Sequence, residues 1–191
     1  MGLRRFLGEF LKAPGSIGAI APSSPQLAES ITEAADVSRA RVIVELGPGT
    51  GALSAAILRK RRPEATYFAI EANASFVEEM KRRYPDIPVH HDSAVAIRRY
   101  VEAAGHTHCD CIVSGLPFAT FPDALQDDLL IAIREALGPG GRFATFAYLQ
   151  GLLVRQGRRF QRRLREEFPT VSRTPTVWRN MPPAFVYRAV K

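Results

Sequence analysis

The chain alternates between short apolar runs and longer stretches in which apolar residues recur with a helical period. The apolar runs predict strands over residues 42–46, 66–70 and 142–148, a short strand that ends at Asp92 and another that ends at Ser114. Helical patterns predict helices over residues 26–35, 52–58, 74–84, 95–104 and 122–137, and residues 155–165 are compatible with a sixth. Strands that alternate with helices are typical of an α/β fold with a mostly parallel sheet.

The two ends of the chain depart from this alternation. Residues 174–188 predict two strands around the Pro182-Pro183 turn, which would complete an antiparallel edge hairpin on a Rossmann-like sheet with helices on both faces. We expect one domain over residues 1–191, with an amphipathic helix at 1–14, a loop and helix at 15–38 and the core at 39–191. In that loop, Ser24 is a candidate helix cap.

The first twelve residues carry apolar side chains on one helical face and charged ones on the other. The apolar residues are Leu3, Phe6, Leu7, Phe10 and Leu11. A helix of this kind lies on an anionic bilayer or docks on its own domain, and the pattern leaves both open.

An excess of basic residues, 26 Lys and Arg against 19 Asp and Glu, predicts an anionic partner. Nucleic acid and an acidic membrane surface both qualify, and arginine favours phosphate recognition. No apolar run reaches the roughly 20 residues of a membrane span, and the two cysteines suggest no disulfide framework. We expect a cytoplasmic protein, with peripheral contact at the inner face of the membrane left open.

The strand at residues 42–46 runs into a glycine turn that is the strongest functional signal in the chain. The turn begins at Glu45 and has glycine at alternate positions, namely Gly47, Gly49 and Gly51. Glycine allows a sharp bend and close approach of a ligand to the backbone. An acid so near the turn would repel a pyrophosphate but suits a cationic ligand.

A second acid, Glu71, lies 20 residues after Gly51 at the end of the next predicted strand. Its two oxygens can accept hydrogen bonds from both hydroxyls of a ribose. Hydroxyl groups beside a helix start can bind an anionic group. The predicted cofactor-binding residues are Ser23, Ser24, Glu45, Gly47, Gly49, Gly51, Glu71, Ala72, Asp92, Ser93 and Ser114.

Histidines at two places invite a metal-site interpretation, which we do not favour. Adjacent His90 and His91 diverge on a strand, and the spacing of His106, His108 and the cysteines matches no zinc pattern. We therefore predict no metal.

Four segments together resemble the soluble bacterial phospholipid N-methyltransferases, members of the class I S-adenosylmethionine-dependent methyltransferases that are related to the rRNA adenine dimethylases. The segments are residues 18–24, 45–51, 114–117 with Pro122, and 180–184. The resemblance implies a Rossmann-like methyltransferase fold, S-adenosyl-L-methionine (SAM) as cofactor and S-adenosyl-L-homocysteine (SAH) as product. It also implies methylation of the amine of phosphatidylethanolamine, and Asp92 as the contact to adenine.

The loop after the fourth strand separates lipid from RNA substrates. RNA adenine dimethylases carry Asn at the position of Gly115 and an aromatic residue at that of Phe118. Without the Asn amide, the acceptor that orients a base amine is missing, which matters little for a flexible alkyl amine. The resemblance implies catalytic roles for Ser114, Gly115, Leu116, Pro117 and Tyr148, and substrate contacts for Phe118, Phe121, Arg179, Tyr187 and Arg188.

We expect direct in-line transfer, in which the acceptor nitrogen attacks the methyl group of SAM without a covalent enzyme intermediate. Tyr148 and Asp92 are the candidate proton acceptors, and arginines, including those of residues 155–165, would pair with the lipid phosphate.

Two other classes of function remain open. In an RNA methyltransferase the arginines would follow a phosphate backbone. The other alternative is a membrane-associated module that binds SAM without catalysis. The sequence leaves the oligomeric state open.

Overall fold

A seven-stranded sheet forms the centre of the computed structural model, which describes residues 23–191. The predicted amphipathic helix at residues 1–14 and the loop up to residue 22 lie outside the described residues. The strands are β1 (Val42–Leu46), β2 (Thr66–Glu71), β3 (Val89–His91), β4 (Cys109–Ser114), β5 (Leu137–Tyr148), β6 (Thr170–Arg173) and β7 (Ala184–Val190).

The strand order is β3-β2-β1-β4-β5-β7-β6. The first five are mutually parallel, whereas β7 runs antiparallel to both β5 and β6. This arrangement confirms the expected fold class, a Rossmann-like sheet with an antiparallel edge.

The helices are α1 (Pro25–Ala34), α2 (Ala52–Lys60), α3 (Ala74–Arg83), α4 (Ile97–Ala103), α5 (Asp123–Ala136) and α6 (Arg155–Glu167). Ser24 is the cap of α1, because its Oγ accepts the Leu27 N–H at 3.2 Å, and Pro25 is its first residue. Among residues 23–191, no helix has the length and apolar character needed to cross a membrane.

Two predicted elements begin at different residues from those expected. The glycine-rich segment 138–141, which lies between the predicted helix 122–137 and the predicted strand 142–148, belongs to β5. It pairs with Lys191: Gly140 N–H donates to Lys191 O, and Lys191 N–H donates to Gly141 O. The strand predicted before the Pro182-Pro183 turn is wrong: the first strand of the antiparallel edge is β6, which ends at Arg173, and residues 174–183 contribute only an isolated bridge from Val177 to Ala184. The segment before β7 contains three prolines, which lack the N–H that a strand ladder needs.

Apolar side chains cover both faces of the sheet, which explains the nearly continuous apolar runs of the central strands. One cluster packs α1 and α2 against the sheet and includes Ile31, Ile57 and Val113. The other lies under α4, α5 and α6 and includes Phe143 and Phe160.

The chain winds outward in one direction from β1 to β3 and then returns to place β4 on the other side of β1. This reversal opens a crevice beyond the carboxyl ends of β1 and β4. In open α/β sheets, ligands bind at such a switch point. The glycine turn after β1 and the loop after β4 therefore meet at the expected place for a site.

Candidate active site

The glycine turn after β1 has a backbone that other residues rarely adopt. Gly47, Gly49 and Gly51 have φ angles of 66°, 55° and 84°, in the left-handed region where glycine is favoured. A Cβ on Gly47 would lie 2.6 Å from the Leu116 side chain. At Gly49, no atom of residues 23–191, apart from Gly49 and its two chain neighbours, lies within 4 Å of the position of a Cβ. The middle of the turn therefore faces open space in which a ligand can approach the backbone.

Glu45 is a fully buried carboxyl group directly before this turn. Its Oε2 accepts hydrogen bonds from Ser54 Oγ at 2.7 Å and Tyr67 Oη at 2.5 Å. Its Oε1 is buried and has no hydrogen-bond partner among the described residues. Burial raises the pKa of Glu45 to about 7, although the two hydroxyl bonds oppose the shift. A buried acceptor oxygen without a partner fits the ammonium group of SAM.

Glu71 ends β2 with its carboxylate turned back towards the glycine turn. Oε2 accepts the Gly49 N–H at 3.1 Å, and Oε1 accepts the Asn73 N–H at 2.9 Å. The side chain is almost completely buried, and this burial raises its pKa. Glu71 therefore connects the glycine turn to the end of β2. This is the position at which the sequence predicts the carboxylate that binds the ribose.

Asp92 follows β3 and is held by several groups. Its Oδ2 pairs with Arg99 at 2.7 Å and accepts the Tyr100 hydroxyl at 3.0 Å, while Oδ1 accepts the Ser93 N–H at 2.8 Å. These bonds fix the carboxylate at the third strand end, where the adenine contact was expected. They do not favour its other predicted role, as proton acceptor, because the bonds from Arg99 and Tyr100 stabilise the ionised carboxylate.

The smaller predicted residues on this edge have local structural partners. Ala72 O faces His91 Nε2 at 3.2 Å, and Ser93 Oγ accepts the Val95 N–H at 3.3 Å. His90 stacks on Tyr100 with ring centroids 4.0 Å apart. The neighbouring histidines are thus used in packing and hydrogen bonding.

The loop after β4 lies directly against the glycine turn. Gly115 N–H donates to Leu46 O at 2.9 Å, and a Cβ on Gly115 would lie only 2.5 Å from Gly47 O. Ser114 is fully buried, and its Oγ accepts the Leu116 N–H at 3.2 Å. Position 115 therefore requires glycine for a steric reason, in addition to the absence of the Asn amide that the sequence comparison pointed out.

Three residues predicted to contact substrate lie in the core. Phe118, Phe121 and Tyr187 are at most 3% exposed. A short 3-10 turn after Pro117 directs Phe118 inward, where it stacks on Phe160 with ring centroids 4.4 Å apart. Tyr187 packs against the same Phe160 ring at 5.9 Å. The predicted substrate contacts do not fit these three side chains, because packing under α6 takes them away from the surface.

Tyr148 ends β5 at the same edge and is partly exposed. Its ring meets Phe146 edge-on at 5.4 Å, and desolvation raises its pKa. A raised pKa keeps the phenol neutral, so Tyr148 is suited to hydrogen bonding and not to removing a proton from an ammonium.

The two predicted substrate arginines lie at different depths along the sheet. Arg179 is exposed on the loop before β7, beside the carboxyl end of β5. Arg188 pairs in register with Ala144, whereas Ala184 pairs with Tyr148 at that end. Four residues of strand place Arg188 roughly 13 Å farther from the edge. The structure therefore favours Arg179 as the arginine near an acceptor.

Sequence reasoning did not assign a role to Asn180, which the structure connects to the start of α1. Asn180 is buried, its Oδ1 accepts the Ser24 N–H at 3.0 Å, and its Nδ2 donates to Pro182 O at 2.7 Å. Asn180 thus fixes Ser24 and the neighbouring Ser23 beside the loop before β7. One feature of the sequence could have indicated this role: Asn180 is a polar residue in segment 180–184, one of the four segments that resemble the phospholipid N-methyltransferases.

The arginines of α6 are mostly engaged within the protein. Arg155 pairs with Asp123 at 2.9 Å, and Arg159 pairs with Asp127 at 2.6 Å. Arg163 reaches Asp127 at 2.7 Å and also Glu166 and Glu167. Arg162 lies 3.6 Å from Glu166. Four of the six arginines in residues 155–165 therefore have carboxylate partners on α5 or α6.

Comparison with known proteins gives consistent matches. A family model described as a methyltransferase domain matches residues 44–143. An ornithine lipid N-methyltransferase of Singulisphaera acidiphila is 31% identical over 191 residues, covering 97% of this chain and 95% of the relative.

Solved structures match the fold over the whole chain. An O-methyltransferase from Bacillus cereus in complex with SAH has a TM-score of 0.71 at 14% identity and covers 100% of this chain and 92% of its own. The O-methyltransferase TomG from Streptomyces achromogenes in complex with SAM has a TM-score of 0.71 at 17% identity, covering 100% of both chains. At these identities the likeness concerns the fold.

Replacing Glu45 by Gln tests the cost of its buried charge. Because the pKa in the folded protein, about 7, exceeds the ordinary 4.5, ionising Glu45 lowers stability. This loss is absent below the unfolded pKa, grows as pH rises to the folded pKa and is constant above it. We expect Glu45→Gln to raise Tm by about 5 °C at about pH 8 and by much less at about pH 5. Calorimetry measures both, with the exposed Glu64→Gln as control; an equal gain at both pH values would contradict the assignment.

Removing the Glu71 carboxylate should weaken binding of SAH, because the ribose loses its acceptor. We expect Glu71→Ala to raise the Kd by about tenfold or more in titration calorimetry. Glu78→Ala, on the exposed face of α3, is the matched control and should leave the Kd unchanged. If Glu71→Ala binds SAH as tightly as the wild type while remaining folded, Glu71 does not hold the ribose.

A methyl group at position 115 should separate the glycine turn from the loop after β4. The backbone of Gly115 tolerates alanine, so the clash with Gly47 O is the main consequence. We expect Gly115→Ala to reduce the free energy of unfolding by about 2 kcal/mol in denaturant titrations. Gly151→Ala is the control, because its nearest neighbour would be Ala119 Cβ at an ordinary 3.7 Å. Equal free energies of unfolding for the two variants would contradict the prediction, because they would show that the backbone at Gly47 can move away from a Cβ at position 115 without loss of stability.

Proposed function

The chain belongs to the methyltransferase domain family, and we propose that it transfers a methyl group from SAM to the amine of a lipid headgroup. The observation that carries the proposal is the relationship to an ornithine lipid N-methyltransferase over 97% of the chain. Phosphatidylethanolamine is the first candidate acceptor, and ornithine lipid is the second. Both present a primary alkyl amine at a membrane surface.

SAM is the cofactor, and the edge of the sheet provides a group for each of its parts. Glu45 Oε1 would receive the ammonium, Glu71 the ribose hydroxyls and Asp92 the adenine amine. The backbone around Gly49 would lie against the ligand. The bound cofactor supplies an electrophilic methyl group on a sulfonium, and the acidic residues of this edge suit its positive charge.

The loop after β4 would receive the acceptor amine. Residues 114–117 border the glycine turn, so an amine beside this loop would be near the methyl group, and the rate would come mainly from in-line alignment. Gly115 presents no side chain, and its contact with Gly47 O leaves no room for one. The loop therefore lacks the amide that orients a planar base and can admit a flexible alkyl amine.

The acceptor amine must lose its proton before it can attack. Neither Tyr148, a neutral phenol, nor the engaged Asp92 is well suited to take that proton. Desolvation beside a sulfonium lowers the pKa of an alkyl ammonium. We therefore infer that the proton leaves to water before the amine is aligned, without a dedicated base.

Arg179 is our candidate for the anionic part of the headgroup. It is exposed beside the end of β5, and no carboxylate of residues 23–191 lies within ion-pair distance of it. Its guanidinium can pair with a phosphodiester in two parallel hydrogen bonds.

Methyl transfer from radiolabelled SAM tests the proposal directly. The protein is offered phosphatidylethanolamine or ornithine lipid in vesicles that contain an anionic lipid, and total RNA in parallel. We expect label in the lipid extract, with much less label from Glu71→Ala at SAM concentrations below its raised Kd and the wild-type amount from Glu78→Ala as control. Label in RNA alone would overturn the proposal and would return the arginines to a role along a nucleic-acid backbone.

A further inference from the structure

Exposed apolar side chains concentrate on two loops, at residues 149–154 and 174–183, which we name the interfacial loops. Six large apolar side chains are exposed among residues 23–191, and four of them lie here. Met181 is 78% exposed, Leu153 76%, Trp178 71% and Val154 44%. Single exposed apolar residues are common, but such a concentration marks an interaction surface.

Both interfacial loops leave the sheet at the same point. Tyr148 pairs with Ala184 at the end of the β5–β7 ladder, and the next residue, Leu149, donates its N–H to Pro183 O at 3.0 Å. This point is the carboxyl end of β5, which neighbours β4 in the sheet. The exposed side chains therefore border the edge that carries the glycine turn and the loop after β4, residues 114–117, which we name the acceptor loop.

Cationic side chains accompany the apolar ones. Arg179 lies between Trp178 and Met181, and Arg158 lies in the first turn of α6 just after Val154. Both arginines are exposed, and neither has a carboxylate of residues 23–191 within ion-pair distance. Tryptophan favours the boundary between lipid and water, and arginine is attracted to anionic headgroups. This combination is complementary to an anionic bilayer.

We propose that the interfacial loops insert into the surface of an anionic lipid bilayer and thereby hold the acceptor loop against it. The inference rests on the proposed function, because an enzyme that methylates a lipid amine must reach that amine at the membrane surface. It assigns membrane contact to residues 149–154 and 174–183. This contact is proposed in addition to any contact made by the amphipathic segment at residues 1–14.

Trp178 is the only tryptophan of the chain and reports on insertion without a label. Fluorescence of the full-length protein, excited where tyrosine does not absorb, is measured with phosphatidylcholine vesicles with and without phosphatidylglycerol. We expect a shift to shorter wavelength and quenching by brominated acyl chains with the anionic vesicles. If the protein sediments with these vesicles but Trp178 emission does not change, contact lies elsewhere and the proposal fails. It also fails if the emission already has a short wavelength in buffer and lipid leaves it unchanged, because the chain itself then covers the loop.

Charged substitutions test the apolar contacts individually. Met181→Asp and Leu153→Asp should each weaken vesicle binding by about tenfold. Ile131→Asp is the matched control, because Ile131 is 38% exposed on α5, away from the interfacial loops. Affinity for SAH should stay at the wild-type value in all three, which shows that the fold is intact. Equal vesicle binding by the control and the two loop variants would overturn the proposal.

The two proposals fail separately. Vesicle binding is measured without methyl transfer, and methyl transfer is measured on lipid dissolved in detergent. Insertion of Trp178 without lipid methylation would support membrane contact by the interfacial loops and contradict the proposed function. Methylation of lipid in detergent without insertion of Trp178 would support the proposed function and contradict membrane contact by the interfacial loops.

Discussion

The close backbone contact between Gly47 and Gly115 is the constraint on which the site depends. Gly47 N–H donates to Ile70 O and Gly115 N–H donates to Leu46 O, each at 2.9 Å, so three strand ends are connected at the switch point. The space between Gly115 and Gly47 O excludes even a Cβ. The glycine turn and the loop after β4 are thereby held at a single separation, as the proposed in-line transfer would require.

The site also contains a buried charge that the fold tolerates at a cost. A pKa raised to about 7 for Glu45 corresponds to a loss on the order of 3 kcal/mol when the group is ionised. Tyr67 and Ser54 share only one of its oxygens. Retaining an unpartnered acceptor is unfavourable for an empty site but favourable once a cation binds, because the ligand then provides the missing partner.

The net charge of +7 gives a misleading picture of the arginine-rich helix. Pairing with Asp123, Asp127, Glu166 and Glu167 neutralises most of α6 and stabilises its packing on α5. Arg158 and Arg179, which have no such partner among residues 23–191, lie close along the chain to the exposed Val154, Trp178 and Met181. Exposed cationic side chains therefore remain beside the interfacial loops, while most arginines of α6 are paired.

The sequence by itself determined the α/β alternation, the antiparallel edge and the meeting of three acidic residues at one edge of the sheet. These features follow from local patterns, namely apolar runs, alternate glycines and acids at or next to strand ends. The parallel sheet then brings Glu45, Glu71 and Asp92 to one edge. Only the tertiary structure decided which aromatic residues are core and which arginines of residues 23–191 have carboxylate partners. Phe118, Phe121 and Tyr187 resemble substrate contacts in the sequence but are buried under α6. Burial and ion pairing depend on neighbours that are distant along the chain, as with Asn180 and Ser24, 156 residues apart, and no local pattern contains that information.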